Sequence, residues 1–194
     1  MNPIVHGELG WLLGRGLKAR RDRLLVTAAG VIPDLDGLSL LGGREAYAAY
    51  HHLLTHGLVA AAATALACAA LARQRVRTAL LALVAFHLHL VCDLAGSGDR
   101  AQGGEGWPLS YFFPFSRHEW MWSGQWDLVS WQNTAIGLLT TLGCLACALK
   151  YGRTPLELVS TKADAKVVET IRARFGRMVP GGGATRLEEP RSDE

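Results

Sequence analysis

Long apolar runs separated by short charged clusters dominate the first 150 residues. Three of these runs predict membrane-spanning helices: Leu53–Ala72, Thr78–Leu94 and Thr134–Leu149, the last of which we extend backwards through Ser130. A helix needs about 20 apolar residues to cross the hydrocarbon core of a bilayer, within a range of about 17–25. The three runs fit that range, the third at its short end.

Two further apolar runs are interrupted by polar residues. Leu24–Leu41 is long enough to span but contains a proline and two carboxylates, which break the helical hydrogen bonds and are disfavoured in lipid. We therefore predict a helix that bends or stops near Pro33. Pro3–Leu17 is short and contains a histidine and a glutamate, so it predicts either a short span or an interfacial helix.

These runs predict an all-α protein, a polytopic membrane helix bundle of four to five spans. Residues 1–151 form the predicted membrane domain, and residues 152–194 form a predicted cytoplasmic tail that is helical or disordered. The tail contains one amphipathic candidate helix, Thr154–Met178, and ends in a polar segment rich in glycine and charge.

Basic residues predict the orientation. By the positive-inside rule their clusters lie in the cytoplasm, so the C-terminus is cytoplasmic and residues 42–52 and 95–130 face outward. Five of the six tryptophans lie in or beside the second outer segment, either at the headgroup level or in the core of a folded loop. The clusters are Arg15, Lys18, Arg20, Arg21 and Arg23; Arg73, Arg75 and Arg77; and Lys150 and Arg153.

Charge and cysteine content exclude some classes of function. The net charge of +3 does not come from a basic stripe with interleaved aromatic residues, so nothing favours nucleic-acid binding. All four cysteines lie in apolar runs, which is typical of small buried residues and not of a disulfide framework. The pair Cys144 and Cys147 is weak evidence for redox chemistry.

One pair of candidate metal ligands lies within a predicted span. His89 and Asp93 are four residues apart, so both side chains lie on one face of the helix. They could share a metal ion, or the aspartate could orient the histidine. The alternative is a polar pair that is satisfied between packed helices.

Two other segments concentrate potential ligands. The sequence HHLLTH contains His51, His52 and His56, and helical spacing places His52 and His56 together. Asp34 and Asp36 flank the break near Pro33, which can direct carboxylates into a cavity. The alternative for the aspartates is the capping of a helix before a turn.

A five-span topology places every candidate ligand towards the outer side of the membrane. Histidine nitrogen and aspartate oxygen suit zinc, manganese or iron, with zinc as the first choice and one or two ions bound. The predicted ligands are His6, Asp34, Asp36, His51, His52, His56, His89 and Asp93.

A metal-activated water would hydrolyse a phosphoester or another ester. His118 and Glu119, in the outer loop, are candidates for proton transfer or for binding a second ion, and the alternative for His118 is a surface position. Two rival functions stay open, which are metal transport or sensing, and haem ligation by a histidine pair such as His56 and His89.

The same residues resemble the YdjM/YbcI-type family of bacterial membrane-bound metal-dependent hydrolases over residues 1–150. That resemblance implies a metal-dependent hydrolase of the inner (plasma) membrane, in contact with lipid. More distantly, the histidines and aspartates are similar to those of zinc-dependent phospholipase C enzymes, which suggests a lipid or phosphoester substrate. The family motifs correspond here to His6, Pro33-Asp34-Leu35-Asp36, His51 to His56, His89 to Asp93, and Phe113-Pro114-Phe115-Ser116.

One position departs from the family pattern. The histidine-rich motif carries an arginine after its first histidine, and this chain has His52 there. The resemblance therefore implies functional roles for His51 and His56, whereas helical spacing favours His52 with His56. All three stay candidates.

Overall fold

The computed structural model describes residues 1–99, 104 and 106–176, and within them the regular structure is helical apart from two isolated bridges. The all-α prediction is confirmed. The helices are α1 (Pro3–Gly14), α2 (Arg20–Ala29), α3 (Arg44–Tyr50), α4 (Leu58–Leu71), α5 (Arg75–Gly96), α6 (Trp131–Tyr151) and α7 (Thr161–Phe175), with 3-10 helices at Ile32–Gly42 and Pro155–Leu158.

Two helices are long and apolar enough to cross a membrane. They are α5, with 22 residues and a mean hydropathy of 1.9, and α6, with 21 residues and a mean hydropathy of 1.4. A third span is formed if α2 and the 3-10 helix Ile32–Gly42 count as one, although they bend by 54°. The described residues thus provide two or three spans, and the predicted four to five was too many.

Two of the predicted spans are apolar helices that are too short to cross a bilayer. Helix α1 has 12 residues and α4 has 14, which correspond to about 18 and 21 Å at 1.5 Å per residue. The predicted span from Leu53 begins only at Leu58, because the preceding residues form a turn. That turn carries His52 and His56 into the interior, where both are buried.

Helices α1 and α2 pack closely through glycines. A Cβ atom added to Gly10 would lie 3.0 Å from Thr27 Cα, and one added to Gly30 would lie 3.0 Å from the carbonyl oxygen of His6. Small residues allow backbones in membrane bundles to approach in this way. The close contact places His6 beside the end of α2.

Helix α5 is the centre of the bundle formed by Met1–Gly143, since α1, α2 and α4 all pack against it. Phe86 and Leu90 bury against Ala61 of α4, and Ala82 packs with Ala29 of α2. Contacts with α2 and α4 therefore fix the position of α5. His89 and Asp93 are buried on this helix together with these apolar residues.

The predicted break near Pro33 is present. Helix α2 ends at Ala29, and the chain continues from Ile32 as a 3-10 helix with Pro33 in its first turn. Proline is tolerated there because the first amides of a helix lack intrahelical partners. The break leaves Asp34 and Asp36 in the first part of the 3-10 helix.

Among the described residues, a second compact unit begins at Cys144 and includes α7. Helix α7 lies within the predicted amphipathic segment, and Asp164 in its first turn accepts hydrogen bonds from the amide and hydroxyl of Thr154, at 2.8 and 2.6 Å. Met178 and the tail segment predicted to be disordered lie outside the described residues. The predicted domain boundary after residue 151 stays a prediction.

A buried carboxylate in α2 holds the connection between α4 and α5. Asp22 accepts hydrogen bonds from the amides of Arg73 and Gln74, at 2.8 and 2.9 Å. We predict that Asp22→Ala lowers the midpoint of thermal unfolding in detergent, because unpaired amides cost about 1–3 kcal/mol each when buried. Asp22→Asn retains one acceptor oxygen, so its midpoint should lie between those of the wild type and Asp22→Ala. Equal midpoints for all three proteins would contradict this role.

Candidate metal centre

Four side chains converge on one point inside the bundle. Asp34, His56, His89 and Asp93 each offer one ligand atom, and these atoms all lie within 4.8 Å of one another. His56, His89 and Asp93 are buried, and Asp34 is partly exposed. They come from the 3-10 helix, from the turn before α4, and from α5.

His89 lies close to each of the other three members of the cluster. Its Nε2 atom lies 2.9 Å from Asp93 Oδ2, 3.3 Å from His56 Nε2 and 3.6 Å from Asp34 Oδ1. The four-residue spacing on α5 therefore brings His89 and Asp93 together, as the sequence predicted. Asp34 and His56 come from distant parts of the chain, and the break at Pro33 and the turn before α4 bring them in.

Each of the two clustered histidines is oriented through its other ring nitrogen. His56 Nδ1 donates to Asp36 Oδ2 at 2.8 Å, and His89 Nδ1 donates to the carbonyl oxygen of Gly30 at 2.8 Å. Both Nε2 atoms are thereby left as acceptors facing the cluster. Metal-binding histidines in proteins almost always make such a bond to a carboxylate or carbonyl.

Asp36 supports histidines and lies one step outside the four-atom cluster. Its two oxygens accept from His51 Nδ1 and His56 Nδ1, each at 2.8 Å. Its own amide donates to Thr55 Oγ1 at 3.2 Å, and that hydroxyl donates to the carbonyl of Pro33 at 2.5 Å. This network connects the 3-10 helix to the histidine-rich turn.

Two more predicted ligands, His6 and His52, surround Asp93. His6 Nε2 lies 3.2 Å from Asp93 Oδ1, and the His6 ring stacks on His89 with centroids 3.8 Å apart. His52 Nε2 lies 3.8 Å from Asp93 Oδ2. The amino group of Met1 and the hydroxyl of Ser97 also contact Asp93.

His52 adopts a φ angle of 64°, which is uncommon for a residue with a side chain. Burial lowers the pKa of His52 to about 3. The imidazole is therefore neutral near pH 7, which is the form that binds metals.

The donor set fits a divalent cation. Within the described part of the chain, His6 Nδ1, His52 Nδ1 and Asp34 Oδ2 are buried side-chain atoms without a hydrogen-bond partner. Buried polar atoms are normally paired, and unpaired ones point to an ion, a water or a catalytic role. Imidazole nitrogens and carboxylate oxygens together suit zinc, manganese or iron.

A cavity of about 450 Å³ opens onto the cluster. Asp34, Asp93, His51 and His52 form part of its wall, which also includes Trp107 and residues 127–129 from the segment between α5 and α6. Cavities of this size hold small ligands. The cluster is therefore accessible from this cavity through Asp34 and Asp93.

Gln125 attaches that loop to the end of α5. It is buried, and its amide nitrogen donates to the carbonyls of Asp93 and Leu94 at 3.3 and 3.1 Å. Its side-chain oxygen accepts from the amide of Trp107 at 2.8 Å. The loop is thereby held against the helical turn that carries Asp93.

The structure does not bring His118 and Glu119 into this cluster. Both are exposed, and neither belongs to the wall of the cavity. The His118 ring packs edge-on against Trp120 with centroids 5.0 Å apart. Their catalytic roles stay predictions without a supporting contact.

Sequence reasoning missed the groups that position the cluster. Gly30, Thr55 and Gln125 act through hydrogen bonds, and Tyr47 stacks on His51 with centroids 4.4 Å apart. Thr55 carried a signal, because it is the threonine of the histidine-rich motif. The carbonyl of Gly30 carried none, since a backbone acceptor has no residue signature.

Fold and site together define a helical membrane protein with a potential divalent-metal centre. A family model described as "YdjM inner membrane protein" matches residues 1–163, and the chain belongs to that family. This agrees with an inner-membrane location. No curated protein and no solved structure matches the chain.

The role of Asp36 leads to a test on metal affinity. Asp36→Asn leaves one acceptor oxygen for two histidines. The new amide group would point a donor at the Nδ1–H of the second histidine. We predict a loss of about 10–100-fold in zinc affinity, as for other orienting groups, measured by competition with a chromophoric chelator. Exposed Glu45 in α3 provides the control, because Glu45→Gln removes the same charge. Equal affinities for the Asp36 variant and the wild type would contradict an orienting role.

Proposed function

We propose that this protein is a membrane-bound metal-dependent hydrolase that acts on a phosphoester or lipid-type substrate. Asp34, His56, His89 and Asp93 would hold a divalent cation, with zinc as the first choice. The observation that carries the proposal is the orientation of the two buried imidazoles, whose Nε2 atoms lie 3.3 Å apart while both Nδ1 atoms are occupied. Two histidines that served packing alone would not need both Nε2 atoms to face the carboxylates of Asp34 and Asp93.

Asp36 is assigned the orienting role in this proposal. His6 and His52, which flank the two oxygens of Asp93, and His51 stay candidate ligands for the same ion or for a second one. A divalent cation in such a site polarises an ester and lowers the pKa of bound water towards neutrality. The residues of the cavity wall would position the ester against the cluster.

Two histidines line the cavity next to the cluster. His51 and His52 form part of the cavity wall, and His52 also lies 3.8 Å from Asp93. The His52 ring can therefore contact a group bound in the cavity. Tyr47 and Trp107 add aromatic surface on the same side.

Metal transport is the rival from another class. It requires ligands along a path through the membrane, whereas the residues with described positions contain a single group of at least three potential ligands. That arrangement favours chemistry at one place over passage of ions.

Hydrolysis of bis(p-nitrophenyl) phosphate by the detergent-purified protein tests the proposal. We expect activity that a chelator removes and zinc or manganese restores. His89→Ala should lower kcat/KM by at least about 100-fold, because it removes an ion that supplies several kcal/mol of stabilisation. His118→Ala serves as the comparison, since proton transfer typically contributes about 10²–10⁴-fold and a smaller effect would remove His118 from the mechanism.

Metal binding without hydrolysis of this ester or of phospholipid analogues would contradict the hydrolase proposal and favour a binding or transport role. Activity that survives chelation and the His89 substitution would show that it comes from elsewhere.

A further inference from the structure

A second groove lies beside the cavity at the metal centre. Met1, Pro3, Leu128 and Val129 line both, and the groove adds a volume of about 570 Å³. The two spaces therefore adjoin at these four residues, and Asp34 and Asp93 lie on the cavity side.

The groove runs between α1 and α6. Its walls include Val5 on α1, and Asn133, Thr134 and Gly137 on α6. A Cβ atom added to Gly137 would lie 3.4 Å from Val5 Cγ2, so the missing side chain keeps this end of the groove open. Any larger residue at Gly137 would occupy it.

The polar side chains of the groove wall form hydrogen bonds within the protein. Asn133 donates to the carbonyls of Gly96 and Leu128, at 2.8 and 2.9 Å, and accepts from Trp126 Nε1 at 2.9 Å. Thr134 donates to the carbonyl of Ser130 at 3.1 Å. The groove thus presents carbon atoms and satisfied polar groups, and its described wall contains no charged side chain.

The wall of the groove reaches the start of a candidate membrane span. Val129 is 92% exposed, and it lies two residues before α6, one of the two candidate spans. Farther along α6, Leu138 and Leu139 are exposed apolar residues of the kind that face lipid. A groove whose wall continues onto an apolar candidate span suits the hydrocarbon chain of a bilayer lipid.

We propose that this groove binds an acyl chain of a phospholipid whose phosphate head group lies in the cavity at the metal centre. The assignment of a phosphate head group rests on the proposed hydrolase function. The assignment of the groove to an acyl chain rests on the residues that line the groove. A soluble phosphoester would fill only the polar end. A partner helix would need an extended face, and this groove is a slot beside the cavity that contains Asp34 and Asp93.

Photo-cross-linking tests the acyl site. The probe is phosphatidylglycerol with a diazirine in one acyl chain, reconstituted with the full chain, and adducts are mapped by peptide mass spectrometry. Val5 is only 9% exposed, so an adduct there requires a chain inside the groove. Adducts on Leu138 and Leu139 report lipid on the outer surface and serve as an internal standard.

Two glycine variants separate the groove from helix packing. Gly137→Leu fills the groove, and Gly143→Leu alters the contact of α6 with Leu12 of α1 without lining either space. We expect the Val5 adduct in the wild type and in the Gly143 variant, and its loss in the Gly137 variant. Adducts confined to the outer surface, or equal loss in both variants, would overturn the proposal.

Kinetics then distinguish failure of the groove from failure of the proposed function. Hexadecyl and ethyl p-nitrophenyl phosphate share one leaving group and differ in chain length. Gly137→Leu should raise KM about tenfold for the hexadecyl ester alone, which the loss of about two buried methylene groups would produce. A Val5 adduct without hydrolysis would retain the lipid site and reject the hydrolase, whereas hydrolysis with equal KM changes for both esters would reject the lipid site.

Discussion

The fixed direction of two imidazole rings is the constraint on which the rest of this structure depends. His56 and His89 present Nε2 to one point because Asp36 and the carbonyl of Gly30 accept the protons on Nδ1. Buried carboxylates and imidazoles carry a large desolvation penalty between apolar helices, and they persist only where they are paired. The hydrogen bonds of the cluster supply that pairing, and a divalent cation would complete it.

This constraint explains why helices that could have crossed the bilayer stop short. Helix α2 ends before Pro33 so that the 3-10 helix can bring in Asp34 and Asp36, and α4 starts late because the preceding turn carries His56. Irregular backbone at membrane depth is tolerated where it is buried in protein or lines a cavity. Both interruptions satisfy this condition, since their polar residues face the cluster or one another.

The sequence predicted the helical class, the break near Pro33 and the pairing of His89 with Asp93, because these follow from local spacing and from proline geometry. It overestimated the number of spans, because apolar composition does not reveal where a helix yields to a turn. Its placement of Asp36 among the ligands stays a prediction, and the contacts of Asp36 with His51 and His56 suit an orienting group. The distinction between a ligand and an orienting group depends on which atom faces which ring, and that is set by packing between distant segments.

Metal content tests the central claim most directly. Elemental analysis of the detergent-purified wild type should find one or two equivalents of zinc, manganese or iron, and the double variant His89→Ala/Asp93→Ala should lose them while keeping its helical circular dichroism spectrum. A wild-type protein without stoichiometric metal after reconstitution, or a double variant with full metal content, would contradict the account and leave the cluster as a packing feature.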